Sequence, residues 1–85
     1  MKFGDAIGKV MDGTKMARWG WHGEGMYITS LFGKQLTDAL KYVDYVLPNV
    51  DEFRDAIVMY TGDHKATVGW VPSQEDMTAD DWVEF

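Results

Sequence analysis

The stretch TKMARWGWHGEGMYITSLF, residues 14–32, decides the fold, because it places a glycine-rich turn between two segments that favour strands. Residues 14–19 alternate so that Met16 and Arg18 share one face, and residues 26–32 are rich in β-branched and aromatic side chains. Three glycines in the six residues between these segments permit the positive φ angles of a tight turn. We therefore predict a β-hairpin here.

A helix is predicted before this hairpin. Its apolar side chains recur at the spacing of one helical face: Phe3, Ala6, Ile7, Val10 and Met11. Asp5 lies in the first turn and Gly13 follows the last turn, and these are positions where helices favour an acid and a glycine. The pattern therefore indicates a short amphipathic helix at the N-terminus.

The second half of the chain predicts another hairpin, preceded by a segment with two interpretations. Residues 56–61 have the composition of a buried strand, Gly62 and Asp63 turn the chain, and residues 65–71 return. In the preceding segment the apolar positions fit a helix that Pro48 would end, although residues 42–46 suit a strand equally well. We predict a helix there, on the spacing of Leu36, Leu40, Val43 and Leu47.

The C-terminal part predicts a short helix and a last strand. Ser73 and Asp76 have the spacing of a capping box just after Pro72, and residues 82–85 are extended by composition. The whole pattern predicts an α+β fold: a small single domain with antiparallel hairpins in a sheet and an N-terminal amphipathic helix.

Length and composition narrow the classes of function. A chain of 85 residues supports one core, so we expect a single domain over residues 1–85. There is no cysteine and no signal-peptide pattern, so we expect a cytoplasmic protein. A net charge of −6 argues against binding polymeric nucleic acid, and no apolar stretch is long enough for a membrane. Four Trp, four Tyr and four Phe favour a binding protein.

Groups for catalysis or metal binding are poorly arranged. His22 and His64 both lie in predicted turns, with no partner at helical spacing, so we predict no metal site. Carboxylates cluster near the C-terminus, and such a run is usually a solvated surface rather than a catalytic centre. We therefore predict that the protein is not an enzyme, with a nucleotide hydrolase as the weakest alternative.

The tryptophans and the turn glycines allow two interpretations. Trp21 lies between turn glycines, where it is not an obvious core residue, so Trp21 and Trp70 suit ligand stacking and core packing equally. For Trp19 and Trp82 we favour the core or a subunit interface. The glycines serve either turn geometry or anion binding through exposed amides. We expect Trp21→Ala to abolish ligand capture and to leave the fold intact, because a turn residue contributes little to a core.

Arg18 needs a partner if its face of the strand is covered, because an unpaired buried charge is very costly. The partner is either an acid of the chain or a phosphate of a ligand. With fourteen acids available, pairing with an acid is favoured, and Asp76 and Asp81 are the candidates.

Three segments resemble the Thoeris anti-defence proteins of the second type. They are FGDA at residues 3–6, RWGWHGEGMY at residues 18–27 and WVPSQEDMTADDW at residues 70–82. Trp19 departs from the polar residue that the family more often has beside the first turn glycine. The segment 33–55 is not matched by the resemblance.

The resemblance implies a small α+β protein that is encoded by a phage or prophage and assembles as a homotetramer. It implies a sponge that sequesters cyclic ADP-ribose-type signals made by TIR-domain enzymes without degrading them; some relatives also bind cyclic oligonucleotides. No cofactor is expected, and the partner is a small molecule. The resemblance implies that eight residues bind the ligand: Trp21, Gly23, Gly25, Met26, Trp70, Ser73, Gln74 and Asp76. We add Arg18 as a candidate hydrogen-bond donor to a phosphate. The alternative is a structural or protein-interaction module with aromatic subunit interfaces.

Overall fold

The computed structural model describes residues 1–40, Leu47 and residues 49–85, and it confirms the α+β class. In chain order the elements are α1 (Phe3–Met11), β1 (Met16–Arg18), α2 (Trp19–His22), β2 (Tyr27–Leu31), α3 (Gly33–Ala39), β3 (Ala56–Tyr60), β4 (Ala66–Val68), α4 (Gln74–Thr78) and β5 (Trp82–Glu84). All these helices are short, and none in the described part of the chain is long and apolar enough to cross a membrane.

The five strands form one antiparallel sheet in the order β4-β3-β2-β1-β5. Both predicted hairpins are confirmed, since β1 pairs with β2 and β3 pairs with β4. The last strand, β5, returns to the free side of β1 and places Trp82 opposite Arg18. The C-terminal segment is thereby brought next to the glycine-rich turn that follows β1.

The predicted N-terminal helix is confirmed as α1, and it covers one face of the sheet. Ala6 and Val10 are buried on its inner side, against Met16 and Ile28 of the sheet. Ser30 in β2 donates a hydrogen bond from Oγ to the carbonyl oxygen of Val10 at 2.7 Å, which fastens the end of the helix to the sheet. The core therefore lies between α1 and the first two strands. Each large apolar side chain buried there stabilises the fold by about 1.5–3 kcal/mol.

The first strand ends earlier than the alternation predicts. Residues 14–19 were predicted to be extended, but the strand stops at Arg18 and Trp19 begins α2. The backbone N–H of Trp19 donates to the carbonyl oxygen of Asp81 at 3.1 Å, and the chain then turns away from β5. The prediction of an extended Trp19 was wrong because this end of the strand depends on a distant hydrogen bond.

Only the first part of the predicted middle helix is confirmed, because the helix ends at Ala39, Leu40 is its C-cap, and Leu47 is not helical. Helix α3 runs from Gly33 to Ala39, and Leu36 is buried beneath it. The later part of the predicted helix, with Val43, the alternative strand over residues 42–46 and the stop at Pro48, lies outside the described residues.

Gly62 allows the β3–β4 hairpin to lie directly against the glycine-rich turn. Its φ is +82°, and a Cβ at this position would clash with the carbonyl oxygen of Glu24. A residue with a side chain would therefore need both an unfavourable backbone conformation and a shift of the neighbouring backbone. The position of Glu24 thus depends on a glycine in a different hairpin.

We predict that Gly62→Ala lowers the free energy of unfolding by about 2–4 kcal/mol, because positive φ and the clash both oppose the side chain. Urea denaturation followed by tryptophan fluorescence measures the change. Gly8→Ala is the matched control: Gly8 lies inside α1 with open space around it, and alanine there raises stability by about 0.5–1 kcal/mol. Equal stability of the Gly62→Ala variant and the unsubstituted chain would contradict the account.

Candidate ligand-binding site

A cavity of about 300 Å³ lies where β1 ends and the glycine-rich turn begins. Its walls come from the end of β1, from α2 and its following turn, and from the segment that precedes β5. The lining residues are Arg18, Gly20, Trp21, Glu24 and Asp81. One aromatic ring, one guanidinium and two acidic residues therefore share this cavity.

Trp21 on the wall of this cavity is also part of the hydrophobic core. Its ring meets the Trp82 ring edge to face at a centroid distance of 5.2 Å, and it meets the Trp70 ring edge to face at 6.3 Å. Trp82 is fully buried, as the sequence favoured, and the half-buried rings of Trp21 and Trp70 pack against it. The premise that Trp21 contributes little to the core, because it lies in a turn, is therefore wrong. Trp19 is 71% exposed in the single chain, so it is not a core residue, and its expected place in a subunit interface stays a prediction.

The arrangement of Trp21 and Trp70 restricts how one chain can hold a base. A base between two rings needs parallel rings about 7 Å apart, which is twice the contact distance of carbon atoms. The two indoles are at an interplanar angle of 84° and touch each other. One chain therefore forms no sandwich between these two residues.

The guanidinium of Arg18 is held by acidic residues, and both predicted partners are confirmed. Its Nε donates to Oδ1 of Asp81 at 3.0 Å, and its Nη1 donates to Oδ1 of Asp76 at 3.2 Å. A third acid, Glu75, lies 3.6 Å from Nη1. The hydrogen bond with Asp81 is the largest cause that raises the pKa of Arg18 above its usual value; burial opposes this, and Asp76 adds to it. Arginine is charged at any ordinary pH, so the guanidinium is available as a cation throughout that range.

Asp76 joins three parts of the structure and is itself buried. Its Oδ2 accepts from the backbone N–H of Ser73 at 2.9 Å, while its own N–H donates to Oγ of Ser73 at 3.0 Å. This is the predicted capping box, and it begins α4. The carbonyl oxygen of Asp76 accepts a hydrogen bond from Nε1 of Trp82 at 3.0 Å. The residue therefore connects the Arg18 guanidinium, the start of α4 and the central indole.

The cavity includes Arg18 and Trp21 from the predicted set and adds three residues that the sequence did not assign to a site: Gly20, Glu24 and Asp81. Asp81 was expected only as a partner of Arg18. Glu24 stands between two turn glycines, and this position was the one signal in the sequence that could have drawn attention to it.

The other predicted residues lie around the cavity rather than among its lining residues. Met26 is half-buried at the end of the turn, and its N–H donates to the carbonyl oxygen of Trp21 at 3.2 Å. Gly25 has a φ of +72°, Gly23 is exposed beside it, and Gln74 is exposed in the first turn of α4. Their contact with a ligand stays a prediction.

Metal binding has no support in the described residues, where no group of three or more His, Asp or Glu side chains could hold an ion. A second cavity, of about 70 Å³, is lined by Met11, Ser30, Asp55, Ala56 and Ile57. It is far below the volume of ordinary small-molecule sites, which begin at about 300 Å³. The cavity beside Trp21 is therefore the candidate site.

A family model described as the Thoeris anti-defense 2-like domain matches residues 1–85. The chain belongs to the Thoeris anti-defense 2-like family. A curated relative is Thoeris anti-defense 2 of Bacillus phage SP01, which is 36% identical over an alignment 88 residues long. The alignment covers 96% of this chain and 91% of the relative. The resemblance drawn from three segments is thus confirmed, and the family match extends through residues 33–55 as well.

Membership of the Thoeris anti-defense 2-like family supports an anti-defence role for the chain. In this chain, the two longer segments that carry the resemblance lie next to each other in the structure. Arg18 and Trp21 come from one of them and Asp81 from the other, and together they line one cavity. The residues that carried the resemblance are therefore those that build the candidate site.

We predict that Trp21→Ala lowers the free energy of unfolding by about 2–3 kcal/mol, because it removes a half-buried ring from contact with two other indoles. The matched variant Trp19→Ala removes an exposed ring, and its stability changes by about 0.5 kcal/mol or less. Urea denaturation monitored by circular dichroism measures both. Equal losses in the two variants would show that the placement of these rings is wrong.

Proposed function

We propose that this chain binds and sequesters an intact cyclic nucleotide immune signal and thereby inhibits bacterial anti-phage defence. The signal is a cyclic ADP-ribose isomer made by TIR-domain enzymes, with cyclic oligonucleotides as a related class of ligand. The family membership supports the anti-defence role. The observation that carries the proposal is the cavity that Trp21 and Arg18 both line.

These two groups match the two chemical parts of a nucleotide. One face of the Trp21 ring can stack on a base, and such a contact contributes about 1–3 kcal/mol. The Arg18 guanidinium has five N–H donors, of which the hydrogen bonds to Asp81 and Asp76 use two. A phosphate group placed beside the stacked base would accept hydrogen bonds from this guanidinium.

One cavity is too small to account for tight capture by itself. Sequestration against a receptor requires binding near the nanomolar range, about −12 kcal/mol, and a single stack supplies a small part of that. A volume of about 300 Å³ is at the lower end of small-molecule sites. We therefore propose that a second subunit of a homotetramer covers the rest of the ligand and supplies the second aromatic face that Trp70 of the same chain does not offer.

Binding without turnover is part of the proposal. The hydrolase alternative would use the acidic residues near the C-terminus, but Asp76 is held both by the Arg18 guanidinium and by its capping box with Ser73. A carboxylate that holds a guanidinium is poorly suited to activate water. The proposed partner is thus a small molecule in the bacterial cytoplasm, rather than polymeric nucleic acid or a membrane, and no cofactor takes part.

We predict that the purified protein binds a cyclic ADP-ribose isomer with a Kd in the nanomolar range and releases it unchanged on heating. Isothermal titration with cyclic ADP-ribose isomers and cyclic di- and trinucleotides measures the affinity, and chromatography of the heated complex identifies the released molecule. Recovery of a hydrolysed product would instead support the hydrolase. Failure of every nucleotide to bind would support the interaction module.

A further inference from the structure

We propose that Asp81 is an internal competitor for the anion-binding position of Arg18, so that an anionic ligand binds by displacing its carboxylate. The inference rests on the proposed function for the identity of the natural ligand, but not for the anion site itself. Both partners of this ion pair line the cavity, and their contact is the 3.0 Å hydrogen bond from Nε of Arg18 to Oδ1 of Asp81.

The three acids around Arg18 differ in how easily they can be displaced. The Asp76 side chain is 13% exposed and is held by its capping box as well as by Arg18. Glu75 is 83% exposed, lies 3.6 Å from the guanidinium, and is not among the lining residues of the cavity. Asp81, at 38% exposure, is the partner that is both in direct hydrogen-bond contact and open to the cavity.

The backbone around Asp81 is fixed independently of its carboxylate. Its carbonyl oxygen accepts the N–H of Trp19 at 3.1 Å, and the next residue, Trp82, is buried in the core. A change of the side chain from Asp to Asn keeps these constraints and almost the same shape. It removes only the negative charge that competes with a ligand.

The charge balance of the cavity explains what this contact does. Arg18 is the single positive group among the lining residues, and two acidic residues, Glu24 and Asp81, share this lining. An anion that enters meets a guanidinium whose charge is already compensated at close range, and it also meets the repulsion of the carboxylates. An anion with no base to stack on Trp21 therefore binds weakly, and a nucleotide binds because the ring contact adds to the anion contact.

The test uses Asp81→Asn with two probes, inorganic pyrophosphate and a cyclic ADP-ribose isomer. We expect Asp81→Asn to bind pyrophosphate about tenfold more tightly than the unsubstituted chain, because one repelling charge is removed at contact distance. The gain should shrink at high salt, since the site is open to solvent. Two-dimensional NMR during the titration measures both effects at low and high salt. The signals to follow are the backbone amides of Gly20, which lines the cavity, and of Trp82, which follows the substituted residue.

Glu75→Gln is the matched control, because it removes an equal charge near the same guanidinium but outside the cavity lining. We expect its affinity for pyrophosphate to stay within about twofold of the unsubstituted chain. Thermal unfolding of each variant establishes that it is folded. A merely structural role of Asp81 would give weaker binding or no change, and either result in a folded Asp81→Asn variant would overturn the inference.

The two proposals fail in different ways. If no nucleotide binds either protein but Asp81→Asn gains affinity for pyrophosphate, the proposed function is wrong and the competition at Arg18 stands. If the unsubstituted chain captures cyclic ADP-ribose and Asp81→Asn gains affinity for neither probe, the function stands and the competition is wrong.

Discussion

The burial of the Trp82 indole is the constraint on which the candidate site depends. Its ring meets Phe3 of α1 at a centroid distance of 5.7 Å, and it meets the rings of Trp21 and Trp70 edge to face. Its Nε1 donates a hydrogen bond to the carbonyl oxygen of Asp76, and this bond fixes the first turn of α4 against the indole. The helix, the glycine-rich turn and the C-terminal segment are therefore arranged around one side chain, and the cavity lies where these parts meet.

The ion pairs of Arg18 add a second, polar connection between the same parts of the chain. Arg18 lies opposite Trp82 in the sheet and reaches both Asp76 and Asp81. The chain has a net charge of −6, and the two carboxylates balance the charge of the Arg18 guanidinium in the cavity that Trp21 also lines. A site built in this way favours a ligand that combines a planar base with a phosphate, which is the chemistry of the proposed immune signal.

Local patterns in the sequence predicted much of this fold. The apolar spacing gave α1, the alternation put Met16 and Arg18 on one face, and the Ser73 capping box gave α4. The failures concern contacts between distant parts of the chain. The helical turn at Trp19 depends on the carbonyl oxygen of Asp81, and the core position of Trp21 depends on the Trp82 ring. No local pattern records such contacts. The place of Glu24 in the cavity lining also depends on a distant residue, Gly62 of the other hairpin.

The proposed binding site of the nucleotide is the cavity beside Trp21. A ¹H–¹⁵N NMR spectrum of labelled protein with an equimolar cyclic ADP-ribose isomer tests it most directly. We expect the largest shifts to fall on the indole N–H of Trp21 and on the amides of Gly20, Glu24 and Asp81. Unchanged signals at these positions, with shifts confined to the residues of the smaller cavity around Ser30 and Ala56 or with no shifts at all, would contradict it.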